Sequence, residues 1–188
     1  MVREEHNNEK ALLISLFEKA QNGDEGSFEE LYKSYYTPLF KYVYLRTKDK
    51  LLSEDITQTV FLKVWKSLNL WNSKKKEPRA FLYTIARNTI IDYWRKKSTK
   101  EIVSDEIVFN NQESVLMENK EDEETYKTLL NLFNKLTKLE KEILTLLYIN
   151  ELSYEEIAKV TGKKESAIRQ IKSRAIKSLK EEYNKQNG

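Results

Sequence analysis

The stretch that decides the fold runs from Leu139 to Leu179 and reads LEKEILTLLYINELSYEEIAKVTGKKESAIRQIKSRAIKSL. Ser153 and Glu156 have the spacing of a capping box, in which the two side chains bond free backbone N–H groups at a helix start. Gly162 can adopt the left-handed conformation that ends a short helix. A basic helix follows within three residues. Its predicted inward positions are Ile168, Ile171, Ala175 and Leu179.

The order of short helix, glycine-containing turn and basic helix is typical of a helix-turn-helix. In this motif the second helix enters the major groove of DNA. An antiparallel helix pair with a solvated lysine face would show the same pattern. The motif alone therefore leaves both interpretations open.

Charge divides the chain into blocks. Residues 25–97 hold 15 Lys and Arg against 8 Asp and Glu, and residues 127–188 hold 13 against 8. Between them, residues 98–126 hold 2 against 9 and show no helical periodicity. Basic modules attract phosphates by releasing counterions. We predict two small helical domains, 1–97 and 125–188, joined by an acidic flexible linker over 98–124.

Composition excludes several classes of protein. There is no Cys and a single His, which removes disulfides and zinc ribbons and makes a His-based triad or metal site implausible. No apolar run approaches the roughly 18 residues that span a membrane, and the charged first ten residues do not resemble a signal peptide. With only 4 Gly and 2 Pro, an all-α fold is expected. We expect a cytoplasmic protein without catalytic activity, cofactor or metal.

Periodicity predicts the helices of the first domain. One helix is predicted over 11–20, and Gly23-Asp24 breaks it. A second helix is predicted to begin at Ser27, with Pro38 as a kink or break. Ser53 looks like the cap of a third helix, which runs to about residue 68. Its core-facing positions are Ile56, Val60, Val64 and Leu68.

The other side of the helix over 53–68 carries Asp55, Gln58 and Leu62. An exposed leucine within a polar stripe suggests a contact with another protein. A solvated face with one stray leucine explains the spacing equally well.

The helix predicted over 79–97 combines cations with aromatic rings. Its outward polar residues are Thr84, Arg87, Asn88, Asp92, Arg95 and Lys96. The nearby aromatic residues are Trp71, Phe81, Tyr83 and Trp94. This mixture suits single-stranded nucleic acid, because bases stack on rings and phosphates pair with cations. The basic loop before this helix could hold an unstacked base, although Phe81 and Tyr83 also fit a core.

Four stretches, in this order and spacing, resemble a bacterial RNA polymerase sigma factor of the extracytoplasmic-function (ECF) type. The resemblance covers about residues 20 to 182. The stretches are SFEELYKSYYTPLFKYV after Gly23-Asp24, SEDITQTVFLKVW, PRAFLYTIARNTIIDYWRKK and LSYEEIAKVTGKKESAIRQIKSRA.

The resemblance implies a role for each matching position. The residues that would dock on the clamp helices of core RNA polymerase are Asp55, Gln58 and Leu62. Those that would meet the melted −10 DNA are Trp71, Asn72, Ser73, Lys74, Lys75, Lys76, Arg87, Asn88, Asp92, Arg95 and Lys96. Those that would meet the duplex −35 DNA are Tyr154, Glu155, Ser166, Arg169, Gln170, Ser173 and Arg174. An anti-sigma factor is a further implied partner.

The chain also departs from the family pattern. Phe81 stands where the family often has Trp, and Ile171 where an Arg is common. Lys164 and Ala167 stand where Ser or Thr usually enters the recognition helix. These departures bear on promoter preference. The alternative function is a helix-turn-helix regulator that acts without recruiting polymerase.

Overall fold

The computed structural model describes residues 2–72, 77–98 and 131–187, and its regular structure there is entirely helical. The chain divides into two compact units, Met1–Asn110 and Asn111–Gly188. This agrees with the predicted all-α fold. The loop residues Ser73 to Lys76 and the predicted linker after Ser98 lie outside the described residues, so the linker and its boundaries stay a prediction.

Unit 1 contains α1 (Val2–Gln21), α2 (Glu25–Thr47), α3 (Lys50–Ser67) and α4 (Pro78–Ser98), with a 3-10 turn at Leu68–Leu70. α2 packs against α1 and α3, and α3 packs against α4 as well. α3 therefore lies between two helices and buries the side predicted to face the core. The largest fully buried apolar side chains of this unit are Phe17, Leu31, Leu39, Tyr42, Val43, Val60, Leu82 and Tyr83.

Two helices of unit 1 begin earlier than predicted. Asp24 caps α2, and its carboxylate accepts hydrogen bonds from the Ser27 backbone N–H at 3.3 Å and from the Ser27 hydroxyl at 2.9 Å. Asp49 caps α3 by accepting from the Leu52 N–H at 3.0 Å. Ser53 is instead fully buried inside α3. Because Asp and Ser are comparable N-caps, sequence alone did not separate these candidates.

Unit 1 differs from the prediction at two further points. α2 continues through Pro38, so the proline does not break the helix, although its ring removes one hydrogen bond. Leu39 and Phe40, directly after it, are buried, and this packing holds the helix together across the proline. α1 begins at Val2, well before the start of the helix predicted over 11–20.

Unit 2 begins, among the described residues, with the helical segment 131–134. It continues with α5 (Lys138–Leu144), a π-helical turn (Thr145–Ile149), α6 (Tyr154–Thr161) and α7 (Glu165–Asn187). The core of the unit contains the fully buried side chains of Ile143, Leu146, Ile157 and Ile168. A second apolar cluster joins Leu136, Leu144 and Ala175 to Phe133, Ile176 and Leu179.

The predicted helix-turn-helix is confirmed at both ends of α6. The Glu156 carboxylate accepts from the Ser153 N–H at 2.8 Å, and the Ser153 hydroxyl accepts from the Glu156 N–H at 3.2 Å. Gly162 takes a left-handed φ of 70°, and its N–H donates to the Ala158 carbonyl at 2.9 Å. These contacts fix where α6 begins and ends, and so they set the start of α7.

An ion pair ties the end of α7 to the turn that follows the first described helix of unit 2. The Glu182 carboxylate accepts from Lys135 and, at 2.9 Å, from Lys185. The hydrogen bond from Lys135, followed by that from Lys185, lowers the pKa of Glu182 from 4.5 to about 2. Because the folded pKa is depressed, this contact stabilises unit 2 above about pH 4.5, and the stabilisation is lost as the pH falls towards 2.

Within the part of the chain that the structure describes, no helix combines the length and the apolar character that a membrane crossing requires.

We predict that Gly162→Ala lowers the free energy of unfolding of unit 2 by about 1–2 kcal/mol, the cost of a left-handed residue that carries a Cβ. The added Cβ would meet no atom within 4 Å, so steric clash contributes nothing. Gly162→Asn should cost less, because Asn adopts this conformation more readily. Urea unfolding of the full chain, followed by circular dichroism, measures the difference.

Tryptophan fluorescence supplies the control, because all 3 Trp residues lie in unit 1. The fluorescence transition should not move in either Gly162 variant. Equal losses for Ala and Asn would contradict the left-handed assignment.

Candidate functional site

The free side of α3 brings the three predicted polymerase-binding residues together. Asp55 and Gln58 are exposed, and Leu62 is 61% exposed. Leu51, one turn before Asp55, is 73% exposed and extends the same stripe. The opposite side of α3 is buried, so this surface cannot turn inward without unpacking the core. The result is a mixed polar and apolar surface of the kind that suits a protein partner.

Asp92, on the outer face of α4, holds one cation of α4 and one of α3 in place. The Asp92 carboxylate contacts Arg95 at 3.0 Å and Lys63 of α3 at 3.8 Å, and Lys63 also donates to the Thr89 hydroxyl at 3.1 Å. Asp92 was predicted to meet the −10 DNA. That contact stays a prediction, and in the structure the Asp92 carboxylate is paired with cations of the protein.

The other predicted residues of α4 do lie at the surface. Asn88, Arg95 and Lys96 are exposed, and Arg87 is half-buried. They share the solvent side of the helix, because its opposite side packs into the core through Leu82, Ala86 and Ile90. Asn72, at the end of the described part of the loop, is also exposed.

Trp71 is the predicted DNA contact that the structure places in the core. It was predicted to face DNA, but it is only 3% exposed and its ring centroid lies 4.9 Å from that of Phe17. Phe17 also packs on Phe81, at 5.9 Å. The indole is therefore a core side chain with no free face on which a base could stack. Phe81 is half-buried and Tyr83 fully buried, as the core interpretation of these aromatics predicted.

α1 contacts the chain on both sides of the loop between Trp71 and α4. The Gln21 amide donates to the Trp71 carbonyl at 3.2 Å, and the Lys10 ammonium lies 2.8 Å from the Glu77 carboxylate. Sequence reasoning missed both contacts, which join residues 50 and 67 positions apart. No local pattern signals such pairs.

The helix-turn-helix presents all its predicted DNA-facing side chains at one surface. The exposed ones are Glu155, Ser166, Arg169, Gln170, Ser173 and Arg174, and Tyr154 is half-buried. The Arg169 guanidinium lies 3.9 Å from the centre of the Tyr154 ring and 3.4 Å from the Glu165 carboxylate. Stacking on an aromatic face limits the freedom of the guanidinium. Arg169 is therefore held in place by its neighbours in the protein.

Lys172 is a residue of this surface that the sequence prediction missed. Its hydrogen bonds to the hydroxyls of Tyr148 and then Tyr154 raise its pKa above the ordinary 10.5. Its ammonium also lies 5.6 Å from the Tyr148 ring centre. Lys172 is a cation one turn after Arg169, and this spacing is the sequence feature by which it could have been identified. Lys172 thus links α7 to α6 and to the π-helical turn.

The departures from the family pattern have structural consequences in α7. Ile171 is buried, so the position where the family commonly has Arg serves the core in this chain. Lys164 is exposed in the turn, and Ala167 is half-buried.

Comparison with known proteins places the chain in a family. Models of Sigma-70 region 2 and Sigma-70 region 4 match residues 31–100 and 126–179. The RNA polymerase sigma factor YlaC of Bacillus subtilis is 31% identical to the chain, over 85% of this chain and 93% of YlaC. The chain belongs to the ECF-type RNA polymerase sigma factors. Sigma factors are DNA-binding initiation factors and not catalysts.

Two relatives that carry the ECF name are similar over most of this sigma factor. SigM of Bacillus subtilis is 28% identical over 85% of this chain and 96% of SigM. BldN of Streptomyces coelicolor is 29% identical over 91% of this chain and 66% of BldN. The family that the sequence predicted is therefore confirmed.

Solved structures share the fold. CnrH, in complex with the cytosolic domain of CnrY, matches with a TM-score of 0.67 at 19% identity, over 90% of this chain and 95% of that one. RpoE of Bartonella quintana, in complex with the anti-sigma factor NepR, matches with a TM-score of 0.63 at 21% identity. The match covers 82% of this chain and 94% of that one. At these identities the likeness concerns the fold alone.

We predict that Trp71→Ala lowers the free energy of unfolding of unit 1 by about 3–5 kcal/mol, the usual cost of truncating a buried aromatic side chain. Trp65→Ala is the matched control, because Trp65 is 41% exposed. Its cost should be clearly smaller. Urea unfolding monitored by circular dichroism compares the two variants, and equal losses would contradict the burial of Trp71.

Proposed function

We propose that this sigma factor binds core RNA polymerase through the exposed side of α3 and directs it to promoters. α4 and the residues before it meet the −10 element as a melted strand, and α7 reads the −35 element as duplex. In this proposal residues 1–97 and 125–188 act as separate domains, and 98–124 is the linker between them. The protein acts in the cytoplasm, where bacterial polymerase and promoters are found.

The observation that carries the proposal is the surface of α3. It lies within the residues that match Sigma-70 region 2, and it leaves Asp55, Gln58 and Leu62 exposed on one side of a helix whose other side is core. An exposed leucine between hydrogen-bonding groups supports a protein contact over a solvated face. A regulator that acted without polymerase would have no use for this surface.

The two proposed DNA-binding surfaces, on α7 and on α4, differ in their exposed side chains. α7 presents Ser166, Gln170 and Arg169 along an exposed helix, a shape that fits the major groove of duplex DNA. α4 presents cations beside an exposed aromatic side chain, Trp94, which suits an unpaired strand. This difference supports the assignment of −35 duplex to unit 2 and melted −10 strand to unit 1.

An anti-sigma factor is the remaining proposed partner. The support is that the RpoE protein with which this chain shares its fold was crystallised with the anti-sigma factor NepR. Such a partner would cover surfaces that polymerase or DNA otherwise contacts.

We predict that Asp55→Ala with Gln58→Ala weakens binding to core polymerase. Removing these groups costs about 1–3 kcal/mol if their partners stay desolvated in the interface. The control is Glu18→Ala with Asn22→Ala, which removes one acid and one amide from exposed positions at the end of α1. Affinity is measured by titrating labelled full-length chain with core polymerase. Unchanged binding in the Asp55/Gln58 variant, at matched helicity, rejects the assignment and favours the stand-alone regulator.

We predict different losses at two arginines of α7. Arg169, held over Tyr154, should read base edges, so Arg169→Ala should cost about 1–3 kcal/mol of discrimination at one or two −35 positions. Arg174 lies more than a turn further along, where phosphates approach the helix. Arg174→Ala should weaken binding to all sequences and lower the salt slope by about one unit.

Competition between single-base −35 variants, measured with the holoenzyme at three salt concentrations, separates these effects. If wild type and both variants share the same base preferences, Arg169 does not read bases directly.

A further inference from the structure

Tyr154 is the first residue of α6, and its side chain is fixed at both ends. Its backbone follows directly on Ser153, which forms the capping box of α6 together with Glu156. At the other end, the Lys172 ammonium donates hydrogen bonds to the Tyr148 hydroxyl and to the Tyr154 hydroxyl. The Tyr154 ring therefore has a defined position between α6, α7 and the π-helical turn.

The Arg169 guanidinium stands over the face of this ring, with its central carbon 3.9 Å from the ring centre. The N–H donors of a guanidinium lie in its plane and point outward from its edges. A ring against the face of the guanidinium therefore leaves these donors available. Bidentate hydrogen bonding to the O6 and N7 atoms of guanine uses the same edge donors, so stacking and base reading do not compete.

Glu165, the other neighbour of Arg169, contacts the guanidinium in a different way. Its carboxylate lies 3.4 Å from a guanidinium nitrogen, in an ion pair in which both side chains are exposed. This pair occupies an edge donor, and exposed ion pairs are weak. A guanine can therefore replace the carboxylate while the contact between the guanidinium and the ring persists.

We propose that Tyr154 is a positioning residue for −35 recognition, whose ring holds the Arg169 guanidinium in the orientation that reads a guanine in the duplex. This inference rests on the proposed function, in which Arg169 contacts base edges. An arginine side chain has many rotamers, and ordering it opposes binding. The ring removes part of this cost only where the base offers the matching acceptors. Tyr154 thus raises base preference by acting through Arg169.

The test uses holoenzyme assembled from core polymerase and the full-length chain. The probe is a promoter duplex that this holoenzyme transcribes in vitro, together with duplexes in which each −35 base pair is replaced in turn. The ratio of the two affinities is the base preference at that position. Tyr154→Leu should lower the preference at the position that Arg169→Ala affects by roughly 2- to 5-fold, the effect of one cation–π contact at an exposed site. Preferences at the other −35 positions should not change.

Two variants control for the ring and for the fold. Tyr154→Phe keeps the ring and should retain most of the preference. Tyr183→Leu removes an exposed tyrosine from the far end of α7 and should leave every preference unchanged. Tyr154 is half-buried, and leucine keeps an apolar side chain at its place. Circular dichroism checks that each variant is folded.

A double variant separates a positioning role from a direct contact with DNA. If Tyr154 acts through Arg169, adding Tyr154→Leu to Arg169→Ala should cause no further loss of base preference. A further loss would mean that Tyr154 contacts a base itself, and the inference would be wrong.

The remaining outcomes separate this inference from the proposed function. If Arg169→Ala relaxes a preference that Tyr154→Leu leaves intact, the positioning role is overturned and base reading by Arg169 stands. If Tyr154→Leu weakens binding to all duplexes equally, or if Tyr154→Phe loses as much preference as Tyr154→Leu, the ring does not orient Arg169 and the inference is overturned. If Arg169→Ala changes no preference, the proposed base reading by Arg169 fails as well.

Discussion

The burial of one side of α3 is the constraint on which unit 1 depends. Ile56, Val60 and Val64 point into the core, and α3 packs on both α2 and α4. This single arrangement has two effects. It leaves the opposite side of α3 exposed, and it brings Lys63 against Asp92, so that α3 and α4 are joined by an ion pair. The position of the proposed −10 surface relative to the proposed polymerase surface follows from this packing.

Unit 2 could be predicted well because its determinants are local. A capping box needs two side chains three residues apart, and Ser153 and Glu156 formed it as the spacing indicated. A glycine that ends a helix is equally local, and Gly162 adopts the left-handed conformation. The exposed side of α7 followed from helical periodicity alone. What the sequence did not indicate was Arg169 stacked on Tyr154, because that contact depends on the angle between two helices.

Unit 1 was predicted less well, for two reasons. Two of its helix starts had more than one suitable cap residue, and the burial of Trp71 depends on residues distant in the sequence. The pattern placed the helix starts at Ser27 and Ser53, whereas Asp24 and Asp49 hold the caps. Trp71 looked like a DNA contact because it lies in a basic loop, but its ring packs on Phe17 of α1, which is distant in the sequence. Burial of an aromatic side chain in a loop is a tertiary property that composition does not reveal.

In the proposed function, this chain gives core polymerase a promoter preference that core polymerase lacks alone. The most direct measurement is sequencing of the 5′ ends of transcripts made in vitro from genomic DNA by core polymerase, with and without the chain. We expect new start sites that appear only with the chain and share two upstream sequence elements, one near −35 and one near −10. Identical start sites in the two reactions, or new sites with a single shared element, would contradict it.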